Sequence, residues 1–79
     1  MGNPVHASSL TFNDALVRLA VLHGKAVVFG YAKGAGQNIE VRQLEPQDVD
    51  AEGFVGFDPD RQATRRYRFD RVAGEIRIS

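Results

Sequence analysis

The apolar period of this chain changes at Gly24, from the three-to-four-residue spacing of a helix to the alternation of strands, and it does not change back. Before Gly24, Phe12, Leu16, Leu19, Ala20 and His23 fall at helical spacing. Thr11-Phe12-Asn13-Asp14 has the form of a capping box, and the Asp14 carboxylate suits the positive end of a helix dipole. The pattern predicts a helix over about 12–23, with Gly24 as its left-handed stop. Residues 1–10 are small and polar, with Gly2, Asn3 and Pro4, and read as a flexible lead-in to a domain over 11–79.

After Gly24 every apolar run is short and alternating. Val27, Phe29 and Tyr31 share one face of a first strand, and Lys33-Gly34-Ala35-Gly36-Gln37 is a glycine turn. Ile39 to Leu44 forms a second strand that Pro46 should end, and Gly53 to Phe57 a third. Asp58-Pro59-Asp60 turns the chain into a fourth strand, Thr64 to Val72, and Glu75 to Ile78 follows Ala73-Gly74 as a fifth. One helix followed by five short strands predicts a mainly β fold, a small five-stranded barrel of the SH3 or Sm type whose closure protects strand edges. The expected core is Phe29, Tyr67, Phe69, Ile76 and Leu19.

Length permits only this one domain: 79 residues bury roughly 60% of their unfolded surface. Ten Lys and Arg balance ten Asp and Glu, so net charge attracts neither nucleic acid nor anionic membrane, and any such attraction must be local. The signs are separated along the chain. Residues 45–60 carry six acids and no base, whereas residues 61–79 carry six arginines against Asp70 and Glu75. The densest stretch is Thr64-Arg65-Arg66-Tyr67-Arg68-Phe69-Asp70-Arg71-Val72. Strand alternation would put Arg65, Tyr67, Phe69 and Arg71 on one face and Arg66, Arg68, Asp70 and Val72 on the other.

Three readings of this stretch stand side by side. The aromatics are core and the arginines answer the acids of 45–60; or the guanidinium forks converge on a phosphate or carboxylate; or phosphate contacts and exposed aromatics together hold single-stranded nucleic acid. Catalysis finds little support. There is no cysteine, hence no disulfide, thiol nucleophile or thiolate metal site. His6 lies in the lead-in and His23 ends the helix, where a cationic ring suits the dipole. The two carboxylates of Asp58-Pro59-Asp60 lack the glycine of a calcium loop, Ala63 standing in its place. Gly34-Ala35-Gly36 is too short for a phosphate loop and precedes a strand. No metal or cofactor is expected, nor a signal peptide or membrane span, and the expected location is the cytoplasm.

Taken in order, the helix, the strand Ala26-Val27-Val28-Phe29-Gly30-Tyr31, the spacing Arg42-Gln43-Leu44-Glu45-Pro46, the Gly53-led strand and the ending Arg65-Arg66-Tyr67-Arg68-Phe69-Asp70-Arg71-Val72 resemble the WYL domain, a bacterial module with an Sm-like SH3 barrel. The resemblance covers about residues 12–79. It aligns Arg42 with the basic residue of the family's second strand, and Tyr67, Phe69, Asp70, Arg71 and Val72 with its closing aromatic-x-apolar-Asp-Arg-Ile pattern. The naming Trp-Tyr-Leu triplet falls on Phe54-Val55-Gly56, so only one aromatic is kept there. It implies a regulatory, ligand-sensing role of the kind such domains have in transcription regulators. The expected ligand is single-stranded nucleic acid or a nucleotide, bound by Arg42, Arg66, Arg68 and Arg71 with Tyr67 and Phe54. The expected partner is a DNA-binding or effector domain in a parent or partner protein, since no helix-turn-helix precedes residue 12. A protein-interaction or homo-oligomerisation module, joining the acidic 45–60 segment to the arginine strand of another copy, is the alternative.

Overall fold

The computed structural model describes residues 4–33 and 38–79. Helix α1 (Pro4–His23) leads into β1 (Val27–Lys33), β2 (Asn38–Val49), β3 (Gly53–Asp58) and β4 (Ala63–Arg68), and a 3-10 turn (Phe69–Arg71) joins β4 to β5 (Val72–Ile78). All pairings are antiparallel, in the order β4-β3-β2-β1-β5. This is the expected mainly β, five-stranded fold with one N-terminal helix. The expected turn over 33–37 falls largely on residues 34–37, which lie outside the described residues.

The helix is longer than its sequence pattern indicates. It begins at Pro4, so Thr11 to Asp14 lie inside it and the capping-box reading is incorrect; the expected lead-in is helical from Pro4, and residues 1–3 lie outside the described residues. Proline at a first helical position is well placed, since its ring presets the helical φ and the amide it lacks would have no partner there. The other end is as expected. Gly24 adopts φ +64°, its N–H donates to the Val21 carbonyl and the Lys25 N–H to that of Ala20, an arrangement that satisfies two terminal carbonyls.

The buried face of α1 is rotated from the expected one. Asn13, Val17 and Ala20 are buried, Leu16 and Val21 pack partly, and Phe12, Leu19 and Leu22 are exposed. Leu19, expected in the core, is 47% exposed. Apolar residues occur on several sides of this helix, so spacing alone does not choose among them. Asn13 does: its Oδ1 accepts the Ile76 N–H at 2.8 Å and its Nδ2 donates to the Gly74 carbonyl at 2.9 Å. These backbone groups lie on β5, a terminal strand of the order that pairs with β1, so Asn13 supplies partners that a further strand would otherwise give.

Pro46 does not end β2. The strand pairs with β1 through Leu44 and with β3 from Glu45 onward, and its register shifts between Pro46 and Asp48. Proline is tolerated at such a bulge because a ladder amide is dispensable there. Close approach at this bend depends on Gly56, where a Cβ would overlap the Glu45 carbonyl and crowd Pro46. Likewise Thr64 to Val72 is not one strand. The chain leaves β4 after Arg68, turns through Phe69–Arg71, and begins β5 at Val72 rather than Glu75. The Phe69 N–H donates to the Glu52 carbonyl at 3.0 Å, which ties this turn to the β2–β3 connection. The core joins Val17 and Ala20 of the helix to Val27, Phe29, Leu44, Phe54, Tyr67, Phe69 and Ile76.

Candidate functional site

Tyr67 is the centre from which the site is built. It lies on β4 opposite Phe54 of β3, and its ring meets those of Phe29 at 5.1 Å and Tyr31 at 4.8 Å, both edge to face. Its hydroxyl reaches away from this cluster and donates to Asp58 Oδ2 at 3.1 Å. Asp58 is fully buried at the end of β3. Its Oδ1 accepts the N–H groups of Asp60 at 2.9 Å and Arg61 at 3.1 Å, and its Oδ2 pairs with the Arg61 guanidinium at 3.3 Å. Asp58-Pro59-Asp60 is therefore a turn, as read, and it is also the anchor of an arginine.

Burial alone would raise the Asp58 pKa. The Arg61 N–H, the Tyr67 hydroxyl, the Asp60 N–H and the Arg61 charge outweigh it, and the carboxyl stays below its ordinary value. Tyr67 moves upward, through burial first and then through its bond to the Asp58 carboxylate. A carboxylate locked in this way holds Tyr67 and Arg61 in place.

Around the tyrosines is a pocket of about 250 Å³, lined by Tyr31, Lys33, Arg42, Arg61, Arg65, Arg66, Tyr67 and Arg71. Arg42 is largely buried and bonds Glu40 at 2.5 Å, with Lys33 3.8 Å from the same carboxyl. These two cations, Arg42 first, hold Glu40 below its ordinary pKa. Arg66 bonds Asp50 at 3.0 Å. Asp50 is itself lowered, chiefly by the Glu52 and Gly53 N–H groups that it accepts across the β2–β3 turn. Arg65 shares the strand parity of Tyr67 and has no ion-pair partner among the described residues. What the arrangement offers chemically is several guanidinium forks, from β2, β4, the β3–β4 turn and the 3-10 turn, over an aromatic floor.

Of the six residues expected at a site, the structure brings Arg42, Arg66, Arg71 and Tyr67 to this pocket. It does not bring Arg68, which bonds Asp70 at 2.7 Å and lines a separate depression with Ala51, Glu52, Phe69 and Asp70. That Asp70 contact raises the Arg68 pKa. Phe54 is fully buried against Phe29, Tyr67 and Phe69 and presents no face for stacking. Tyr31, Lys33, Arg61 and Arg65 were not anticipated. Tyr31 and Arg65 were legible in principle, because alternation places them beside Phe29 and Tyr67. Arg61 was not, since the Asp58 turn is what brings it back.

Among the described residues, no group of three or more His, Asp or Glu is arranged to hold a metal ion, and no helix is long and apolar enough to cross a membrane. A mainly β five-stranded domain with an N-terminal helix and a basic, aromatic-floored pocket defines the class, and the sequence settles the family: residues 15–76 match the WYL domain, and the chain belongs to that family. Among solved structures it is similar to proteasome accessory factor B/C of Arthrobacter aurescens, with 28% identity and a TM-score of 0.66 over 87% of this chain. The chain spans 11% of that larger protein. A search among curated proteins returned no match. Family and neighbour together support a regulatory module.

Proposed function

We propose that this domain is a non-catalytic sensor that binds a phosphate-bearing ligand, single-stranded nucleic acid or a nucleotide, in the arginine-lined pocket. Occupancy is passed to a DNA-binding or effector domain in a parent or partner protein, in the cytoplasm. The observation that carries this reading is the convergence of basic side chains from five elements on Tyr31 and Tyr67 in a chain with no net charge. The non-catalytic part is supported by the acids paired with the pocket's cations: Asp58 and Glu40 are both held below their ordinary pKa values, which suits anchoring rather than proton transfer.

The test is anisotropy of a labelled single-stranded oligonucleotide, and of a labelled nucleotide, across a salt series from about 50 mM, where phosphate binding is strong. Log affinity for the oligonucleotide is expected to fall with log salt at about −0.7 per phosphate contact, roughly −2 to −3 in total. Absence of binding at the lowest salt, or a slope unchanged when Arg42, Arg66 and Arg71 are replaced together in a folded protein, would overturn it. The oligomerisation reading has the acidic segment of one copy meeting the arginine strand of another. The Arg66–Asp50 pair makes that contact within a single chain, which favours the ligand reading.

A further inference from the structure

We infer that the pocket takes a terminal phosphate, the monoester at the end of a strand or of a nucleotide, in preference to an internal phosphodiester. This deepens the phosphate-binding reading and rests on it.

The pocket is closed beneath. Phe29 and Phe54 lie under Tyr67 at ring distances of 5.1 and 6.1 Å and are 2% and 0% exposed, so the core backs the tyrosine and the pocket is a depression open to solvent above it. At about 250 Å³ it is smaller than the roughly 300 Å³ at which drug-sized pockets begin. A phosphodiester needs room for a chain on both sides of the phosphate. A monoester needs room for one.

Charge points the same way. Lys33, Arg42, Arg61, Arg65, Arg66 and Arg71 line the pocket, and the acids paired to the first five are Glu40, Asp58 and Asp50, which leaves at least two positive charges in excess. A phosphate monoester carries about −1.5 to −2 near neutral pH and offers three strong acceptor oxygens, whereas a diester carries about one charge. A surplus of at least two positive charges favours the more highly charged monoester. The fork to meet the additional oxygen is that of Arg65, on the Tyr67 face of β4.

The experiment compares one short single-stranded DNA in three forms: with a 5′-phosphate, with a 3′-phosphate, and with neither, each labelled at the opposite end. One phosphorylated form is expected to bind about tenfold or more tightly than the bare strand, the effect of at least one charge-assisted hydrogen bond. In Arg65→Gln, shown to be folded by circular dichroism, that preference is expected to shrink severalfold, whereas Arg18→Ala on α1 leaves it unchanged. Equal affinity for all three forms would refute the end preference while leaving phosphate binding in place. A preference that Arg65→Gln leaves intact would refute the assignment to this pocket. No binding of any form would refute both this inference and the reading on which it rests.

Discussion

The helix-covered part of the inner sheet face and the arginine-lined part are built from the same strands and come out opposite in character. Along β1 the inward residues run from Val27, in the cluster with Val17 and Ala20, through Phe29, to Tyr31 at the pocket. At the first, the chain meets its own backbone groups on β5, with Asn13 bonding both Ile76 and Gly74. At the second, the chain supplies charge and leaves the space open. That open, arginine-lined surface is the one proposed above to take the ligand.

The core between the two regions should respond most strongly. Phe54→Ala is expected to cost roughly 3–5 kcal/mol and to unfold a domain this small, whatever ligand is present, as read by thermal melting. An unchanged melt would mean that Phe54 is not the shared support of both regions. Asp58→Asn comes next. It keeps the shape, removes the charge under Tyr67 and Arg61, and is expected to cost about 2–3 kcal/mol.

The same residue gives the comparison a pH dependence. Because the folded pKa of Asp58 lies below its unfolded value, its stabilisation is complete above the unfolded value of about 3.9 and is lost as pH falls through the lower folded value. The parent should therefore lose stability more steeply than Asp58→Asn below about pH 4. Equal acid sensitivity would remove Asp58 from this role.

Asn13→Ala separates the two regions directly. Leaving the Ile76 N–H and the Gly74 carbonyl without partners is expected to cost about 1–3 kcal/mol, with no change in ligand affinity for the protein that remains folded. The smallest effect on stability belongs to the pocket. Arg65→Ala should lie within about 0.5 kcal/mol of the parent in a denaturant melt while reducing the salt slope of oligonucleotide binding by less than one unit.

Strand alternation was enough to find the sheet and four of the core residues, because inward parity is fixed wherever one face is buried, but it named only part of the pocket's lining. It failed where a tertiary contact overrides local pattern. Leu19 looked like core because several helix sides are apolar, and only the bonds of Asn13 to β5 choose between them. Phe54 looked like a surface aromatic by alignment with the family triplet, and the ring contacts put it inside. Arg68 and Arg66 share a strand face in sequence, yet Arg68 is drawn to Asp70 by the 3-10 turn, which no glycine or proline announces. Arg61 reaches the pocket through the buried carboxylate of Asp58, a long-range effect of a turn that reads as local.

The contrast between the two regions is tested most directly by following backbone amide shifts of the isotope-labelled domain during titration with a 5′- or 3′-phosphorylated oligonucleotide. The largest shifts are expected at Tyr31, Arg42, Arg61, Arg65 and Tyr67, with Asn13, Val17 and Ala20 unmoved. Shifts centred on Ala51, Arg68 and Asp70, or on the exposed side of α1, with the pocket residues silent, would contradict the account.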